Sequence, residues 1–324
     1  MTSPSSPLLS VVVAIVSDTT SGRADAVHLA RCLEALDRQL ERPPIEVLVP
    51  YLANVDGLGA IQRRFPHVTF IPVRDVEAKP GNREHHDVLR ARGLAAARGD
   101  IVGMVEDHSV PDARWCATVV AMHQQPFAAI GGAIENSVDR LLNWAVYYCD
   151  FCKYKNPLPA GESAFASDAN VTYKRSALEL VRATWAQSFR EVVVNRELAA
   201  RGQKVGLHPG VIVYQHREGL RFGTAIRERF VWGRSYAATR NALLMPRQRL
   251  VYATLSPILP ILLLIRMTQT ARSRAGFGTF LRALPLVALL VTVWSLGECV
   301  GYLTGLGAAS EPRQPSEGRV RADV

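Results

Sequence analysis

Residues 98–112 read RGDIVGMVEDHSVPD, and the fold turns on them. Ile101, Val102, Met104 and Val105 make a compact apolar run suited to a buried strand, and the chain then changes abruptly to Glu106, Asp107 and His108. Three ligand-type side chains therefore stand at a strand mouth. Open α/β sheets bind ligands beyond the carboxyl ends of their strands, and carboxylates beside an imidazole suit a divalent cation holding a phosphate. The competing reading is a solvated turn closed by Pro111 and Asp112.

Upstream of this stretch the pattern alternates. Residues 8–16 are apolar and β-branched and end in the polar turn SDTTSG, a first buried strand and its loop. Ala26, Leu29, Ala30, Leu33, Leu36 and Leu40 then recur at helical spacing until Pro43 and Pro44 stop the helix. Residues 45–49 and 68–73 read as further strands, with a short helix around Ile61 between them. Strands alternating with helices predict a mainly parallel sheet covered on both faces. Before residue 98, Val88, Leu89, Ala91, Leu94 and Ala95 mark one more helix, with Arg90, Arg92 and Arg98 elsewhere around it. Arg90 is the guanidinium to aim at a phosphate, against the alternative of a solvated helix flank.

A chain of 324 residues holds one large core and an appendage. Its 38 basic against 29 acidic residues leave a net charge of +9, which suits nucleic acid, a membrane surface or an anionic substrate. The arginines are scattered, and neither a zinc-finger pattern nor an aromatic-and-glycine RNA-binding signature accompanies them, so phosphates or lipids are expected and nucleic acid is not. The five cysteines, Cys32, Cys116, Cys149, Cys152 and Cys299, are odd in number and suggest no disulfide framework. Cys149 and Cys152 form a lone CxxC without the second pair that tetrahedral zinc needs. The first residues lack a basic region and a cleavage site, so residues 1–8 read as a disordered leader rather than a signal peptide.

The order VVVAIVSD, a helix containing RCLEAL, IEVLV, RARGLAAARGD and IVGMVEDHSVPDARW resembles the nucleotide-binding half of a family 2 glycosyltransferase of the GT-A fold, of the membrane-anchored bacterial type. The resemblance covers residues 9–238. It implies an α/β fold with a Rossmann-like, mixed, mainly parallel sheet, a nucleotide-sugar donor, and a divalent cation, Mn2+ or Mg2+. In that family an Asp-rich cluster ends the strand and binds metal and diphosphate. Glu106, Asp107 and His108 take its places, with Ser17, Asp18 and Arg90 also on the donor side. Asp107, His108 and His216, which closes VIVYQH, are the implied metal contacts; an imidazole ligand suits manganese better than magnesium.

FAAIGGAI, residues 127–134, is similar to the family's next strand. SDANVTYKRSAL resembles the motif bordering its acceptor site, through Asn170, Tyr173 and Arg175. In FREVVVNRELAARGQKVGLHPGVIVYQHRE, aligned on Leu198 and Gly202, Glu191 falls where the catalytic aspartate sits. An inverting transfer needs a base to take the acceptor proton, and Glu191 has that role by resemblance; its plainer role is to complement a helix dipole. RFGTAIRERFVWGRSYA adds Arg229 and Trp232 on the acceptor side. Arg227 or Glu228 stands where processive relatives carry glutamine, which disfavours a processive polymerase. Two departures stand out: Pro50, Tyr51, Leu52 and Ala53 replace the segment that holds the nucleobase, and Ala91 replaces an asparagine. The non-standard Glu106-Asp107-His108 cluster and the missing nucleobase aspartate motivate a second reading, a catalytically silent membrane subunit of this fold that binds or regulates a partner enzyme.

The carboxyl-terminal appendage is apolar. Residues 250–265 are uncharged but contain Pro257 and Pro260 and are short for a span, which suggests a re-entrant or interfacial segment; residues 283–310, interrupted only by Glu298, are a transmembrane candidate. Residues 9–240 are thus expected to form the GT-A domain, 241–310 membrane-associated helices and 311–324 a disordered tail. The catalytic domain is expected on the cytoplasmic face of the cell membrane, transferring sugar to a lipid or glycan acceptor.

Overall fold

The computed structural model describes residues 6–19, 21–79, 81–241 and 244–304; the expected tail, residues 305–310 of the second apolar segment and residues 1–5 of the leader lie outside them. The elements run β1 (Leu9–Ala14), β2 (Ala24–Asp25), α1 (Val27–Asp37), β3 (Ile45–Tyr51), β4 (Val55–Asp56), α2 (Leu58–Arg64), β5 (Thr69–Pro72), α3 (Glu84–Ala96), β6 (Ile101–Glu106), β7 (Ser109–Pro111) and α4 (Trp115–Met122). They continue with β8 (Ala129–Asn136), α5 (Leu141–Phe151), β9 (Gly161–Glu162), β10 (Asn170–Lys174), α6 (Arg175–Leu180), α7 (Glu191–Ala200), β11 (Val205–Gln215), α8 (Phe222–Asn241), α9 (Pro246–Leu255), α10 (Leu259–Arg272) and α11 (Phe277–Thr304).

The main sheet has the order β5-β3-β1-β6-β10-β8-β11-β7, with β9 on β11. β5, β3, β1 and β6 are parallel, as the strand and helix alternation predicts. β10 then inserts antiparallel between β6 and β8, and β8 and β11 run parallel again. The sheet is therefore mixed and mainly parallel, the GT-A-like arrangement expected.

Period-two alternation divides the core. Val11 and Val13 of β1 pack on one face with Leu29, Leu33 and Leu36 of α1 and Trp115 of α4. Val12 packs on the other face with Leu94 of α3, Tyr173, and Val194 and Leu198 of α7. Leu40, read as part of the first helix, lies beyond its end and is exposed. The Gly-Gly pair in β8 has a steric reason: a Cβ at Gly132 would lie 1.9 Å from the Val211 carbonyl oxygen and 2.3 Å from the Asn170 amide.

The first apolar segment is longer than its uncharged run. It forms one helical stretch, Pro246–Arg272, of two helices joined by a 3-10 turn at Pro257, and with Phe277–Thr304 it is long and apolar enough to cross a membrane. α11 lies against α5 and α8. Its crossing with α8 is backbone-close, since a Cβ at Gly233 would meet the Trp294 carbonyl at 2.1 Å and one at Gly297 the Phe230 carbonyl at 2.2 Å. Leu281, Leu289, Leu296 and Leu303 of α11 and Ile261, Leu262 and Ile265 of α10 remain exposed.

Candidate active site

Strand direction decides which residues meet. In β1 and β6, Ala14 pairs with Glu106, and the Asp107 amide donates to the Ala14 carbonyl (2.9 Å), so both chains turn outward at the same edge. β11 ends there too, with the His216 amide on the His108 carbonyl (2.8 Å). Antiparallel β10 begins there: Asn170 faces Val105, whereas Lys174 faces Ile101 at the far edge. At this edge a cleft opens, lined among others by Ser17, His86, Glu106, His108, Arg217 and Trp232.

Within the cluster the three side chains divide the work. Asp107 is fully buried; its Oδ1 accepts from the Val16 amide (3.2 Å) and His108 Nδ1 (3.2 Å), and its Oδ2 from Ser17 Oγ (2.9 Å). Burial opposes ionisation, but these hydrogen bonds hold the carboxyl below its usual range. Asp107 thus braces the loop after β1. Glu106 and His108 line the cleft, with Oε2 and Nε2 3.4 Å apart. Burial lifts the Glu106 carboxyl; it also opposes a charge on His108, yet Asp107 and Glu106 hold that imidazole above its ordinary value.

Arg90 is 1 % exposed and sits among carboxylates. Its Nη2 meets Asp168 Oδ2 at 2.9 Å and Glu106 Oε1 at 3.3 Å, and its Nη1 lies 3.7 Å from Asp87. Nε and Nη1 have no hydrogen-bond partner among the described residues. Glu191, the first residue of α7, adjoins the same group: burial first and the Asp168 charge next push its carboxyl up to about 7, against the pull of Arg90. It is not among the residues lining the cleft; its charge acts on Arg90, which pairs with Glu106 there. Asp168 and Asp87 escaped the sequence reading. Asp168 stands two residues before Asn170 in the quoted motif, and that position was its only signal.

A second buried group lies on the other side of the β1 mouth. Asp18 accepts from His85 Nε2 (2.9 Å to either oxygen) and His86 Nε2 (2.6 Å), and Asn54 Nδ2 donates to its Oδ2 (2.9 Å). Burial opposes it, but the two histidine bonds hold this carboxyl well below the usual range. Asp18 stands among the expected donor-side residues, whereas its partners His85, 67 residues on, and His86 do not, and their adjacency at the start of α3 was the available signal.

The remaining expected residues are placed as follows. Asn170 is buried in the core, its Nδ2 on the Ala133 and Val211 carbonyls and its Oδ1 accepting from Trp115, so it shapes the sheet rather than facing an acceptor. Tyr173 is likewise buried, its hydroxyl donating to Asn195 (3.0 Å). Arg175 is at the wrong edge for the site, with Nε on the Gly99 carbonyl (2.7 Å) ahead of β6. His216 uses both ring nitrogens, Nδ1 on Ser137 (2.8 Å) and Nε2 on Arg31 and Glu218, and does not line the cleft. Of the residues expected around a metal, Glu106 and His108 line the cleft, whereas Asp107 is buried behind it and His216 does not line it. Arg229 makes a bidentate pair with the Asp150 carboxylate (2.5 and 2.7 Å) and stacks 4.4 Å from the Trp232 ring, which Arg83 covers at 4.9 Å. Trp232 lines the cleft with its indole N–H unpartnered.

Residues 24–182 match the family model "Glycosyl transferase family 2". No curated protein sequence matches the chain. Among solved structures, the chain is similar to the mannosyltransferase PcManGT from Pyrobaculum calidifontis in complex with GDP-Man and Mn2+, at 16% identity and TM-score 0.46 over 92% of this chain and 74% of that one. It is also similar to S. aureus TarS 1-349 in complex with UDP, at 11% identity and TM-score 0.46 over 92% of both chains.

Proposed function

From a chain that carries a family 2 glycosyltransferase domain, we propose an inverting transfer of a sugar from a nucleotide-diphosphate sugar to the hydroxyl of a lipid or glycan acceptor at the cell membrane, with the catalytic domain on the cytoplasmic face. One observation carries this reading: a cleft at the strand mouth presents Glu106 and His108, Arg90 pairs with Glu106, and Glu191, within the field of Arg90, has a carboxyl pushed up to about 7. A general base works best with a pKa near the operating pH. Asp168 is held in an ion pair with Arg90 at 2.9 Å.

Glu106 and His108 fit a divalent cation. A carboxylate and an imidazole stand 3.4 Å apart on the cleft wall, and the carboxylates of Glu106 and Asp107 flank that imidazole and favour a positive charge there. This donor set suits Mn2+ better than Mg2+. Such an ion, when bound, neutralises charge developing on the leaving diphosphate. The chain's own groups do the rest. Trp232, fixed between Arg83 and Arg229, offers its free indole N–H to a ligand oxygen; Arg90 holds Glu106 in an ion pair; Glu191 takes the proton of the attacking hydroxyl.

The membrane location rests on α8. One side of this helix gives Glu228 and Trp232 to the cleft, and another packs Gly233 on α11, whose outer leucines are exposed. A lipid-linked acceptor held at a bilayer beside α11 would therefore stand next to the cleft. The test is detergent-solubilised protein with Mn2+ and a panel of nucleotide sugars, reading nucleoside diphosphate release and the anomeric configuration of the product. Release from one donor with inverted product, and loss of the Mn2+ dependence in His108→Ala, are expected. A retained configuration overturns the mechanism, and Mn2+ dependence unchanged in His108→Ala overturns the metal assignment.

A further inference from the structure

We propose that Asp18, His85 and His86 form a second metal site, separate from the Glu106–His108 pair and suited to a zinc-class ion, which ties the turn after β1 to the start of α3. Three ligand atoms, one carboxylate oxygen and two imidazole nitrogens, all lie within 4.8 Å of one another, and all three side chains are at most 2 % exposed. The two rings meet edge to face with centroids 4.1 Å apart, so both Nε2 atoms converge on one point from different directions.

The charge count favours an ion there. Asp18 is a buried carboxylate whose hydrogen-bond partners are two imidazoles and the Asn54 amide. None of these three groups is a permanent cation, and a buried carboxylate calls for compensating charge. A divalent cation supplies the missing charge. Two imidazoles and one carboxylate select Zn2+ and its neighbours over Mg2+ or Ca2+, which take oxygen ligands.

The geometry needs little change. Tetrahedral ligands at about 2.0 Å from zinc stand about 3.3 Å apart, so the present spacings of 2.6 and 2.9 Å would open by about 0.4–0.7 Å. Asn54 already fixes the carboxylate from behind, donating also to the Gly22 carbonyl (2.8 Å), as an outer-sphere partner does. Three protein ligands leave a fourth position, and His86 lines the main cleft while His85 lines a neighbouring one, so water can reach it. The ion would thus brace the wall that Ser17 and Thr19 present to the cleft.

This inference is independent of the transfer reaction, and its test reads metal alone. Full-length protein in detergent, stripped with a chelator, is titrated with Co2+ while the visible d–d absorption of tetrahedral cobalt is followed. One equivalent with tetrahedral bands is expected, displaced by Zn2+. The bands persist in the Glu106→Gln/His108→Ala double variant, vanish in His86→Gln and return in His86→Cys, which restores a zinc ligand. Wild-type protein without tetrahedral bands, or bands that survive His86→Gln and disappear in the double variant, overturns the proposal. The wild-type titration decides alone should His86→Gln fail to fold.

Discussion

Two buried charged hubs flank the mouth of β1, and they are opposite in construction. On one side a cation, Arg90, is enclosed by Asp87, Glu106 and Asp168, with Glu191 close by. On the other an anion, Asp18, is enclosed by His85, His86 and Asn54. The first hub carries more negative than positive charge, so a carboxyl at its margin keeps its proton until near neutral pH. The second has no permanent cation among its hydrogen-bond partners. Burial is similar in both; what differs is where the compensating charge comes from, and that separates a hub that tunes a proton from one that accepts an ion.

The contrast is open to direct attack. Glu191→Gln should lower kcat by about 10²- to 10⁴-fold while nucleotide affinity, read by calorimetry, is unchanged; full turnover would remove the base from the first hub. Arg90→Ala should cost about 3–5 kcal/mol of stability in denaturant titration, because it leaves carboxylates buried without their cation. Asp18→Asn should cost less in metal-free protein, about 1–3 kcal/mol, since it weakens hydrogen bonds without stranding a like-charge cluster; a loss equal to that of Arg90→Ala would erase the distinction between the hubs.

The smallest effect is in pH. A base must be deprotonated to act, and Glu191 carries a pKa raised to about 7, so kcat/KM should rise about tenfold per pH unit below that value and flatten above it. A profile already flat at about pH 5 would remove Glu191 as the base.

Much of the frame was legible without coordinates. Residues 9–14, 45–51 and 101–106 announce themselves by apolar, β-branched runs, and the abrupt change to Glu106-Asp107-His108 marks the end of β6. The family resemblance pointed to Glu191, which lies beside Arg90 and Asp168. The roles of neighbours were not legible. Asp107 and Glu106 are adjacent in sequence, yet one braces a loop and the other faces the cleft, because successive side chains leave a strand in opposite directions. Arg175 was grouped with Asn170, but the antiparallel course of β10 carries it to the far edge.

The sequence by itself determined the layers: hydrophobic periodicity is a local property, and it dictates which residues form strands, which helices cover them, and that a polar cluster ends the fourth long strand. Only the tertiary structure decided the partners. Asp18 meets His85 across 67 residues, Arg90 meets Asp168 across an inserted antiparallel strand, and Gly233 admits Gly297 of a distant helix. Such contacts depend on strand order, register and helix crossing, which arise when the whole chain buries its apolar faces at once, and no window of neighbouring residues contains them.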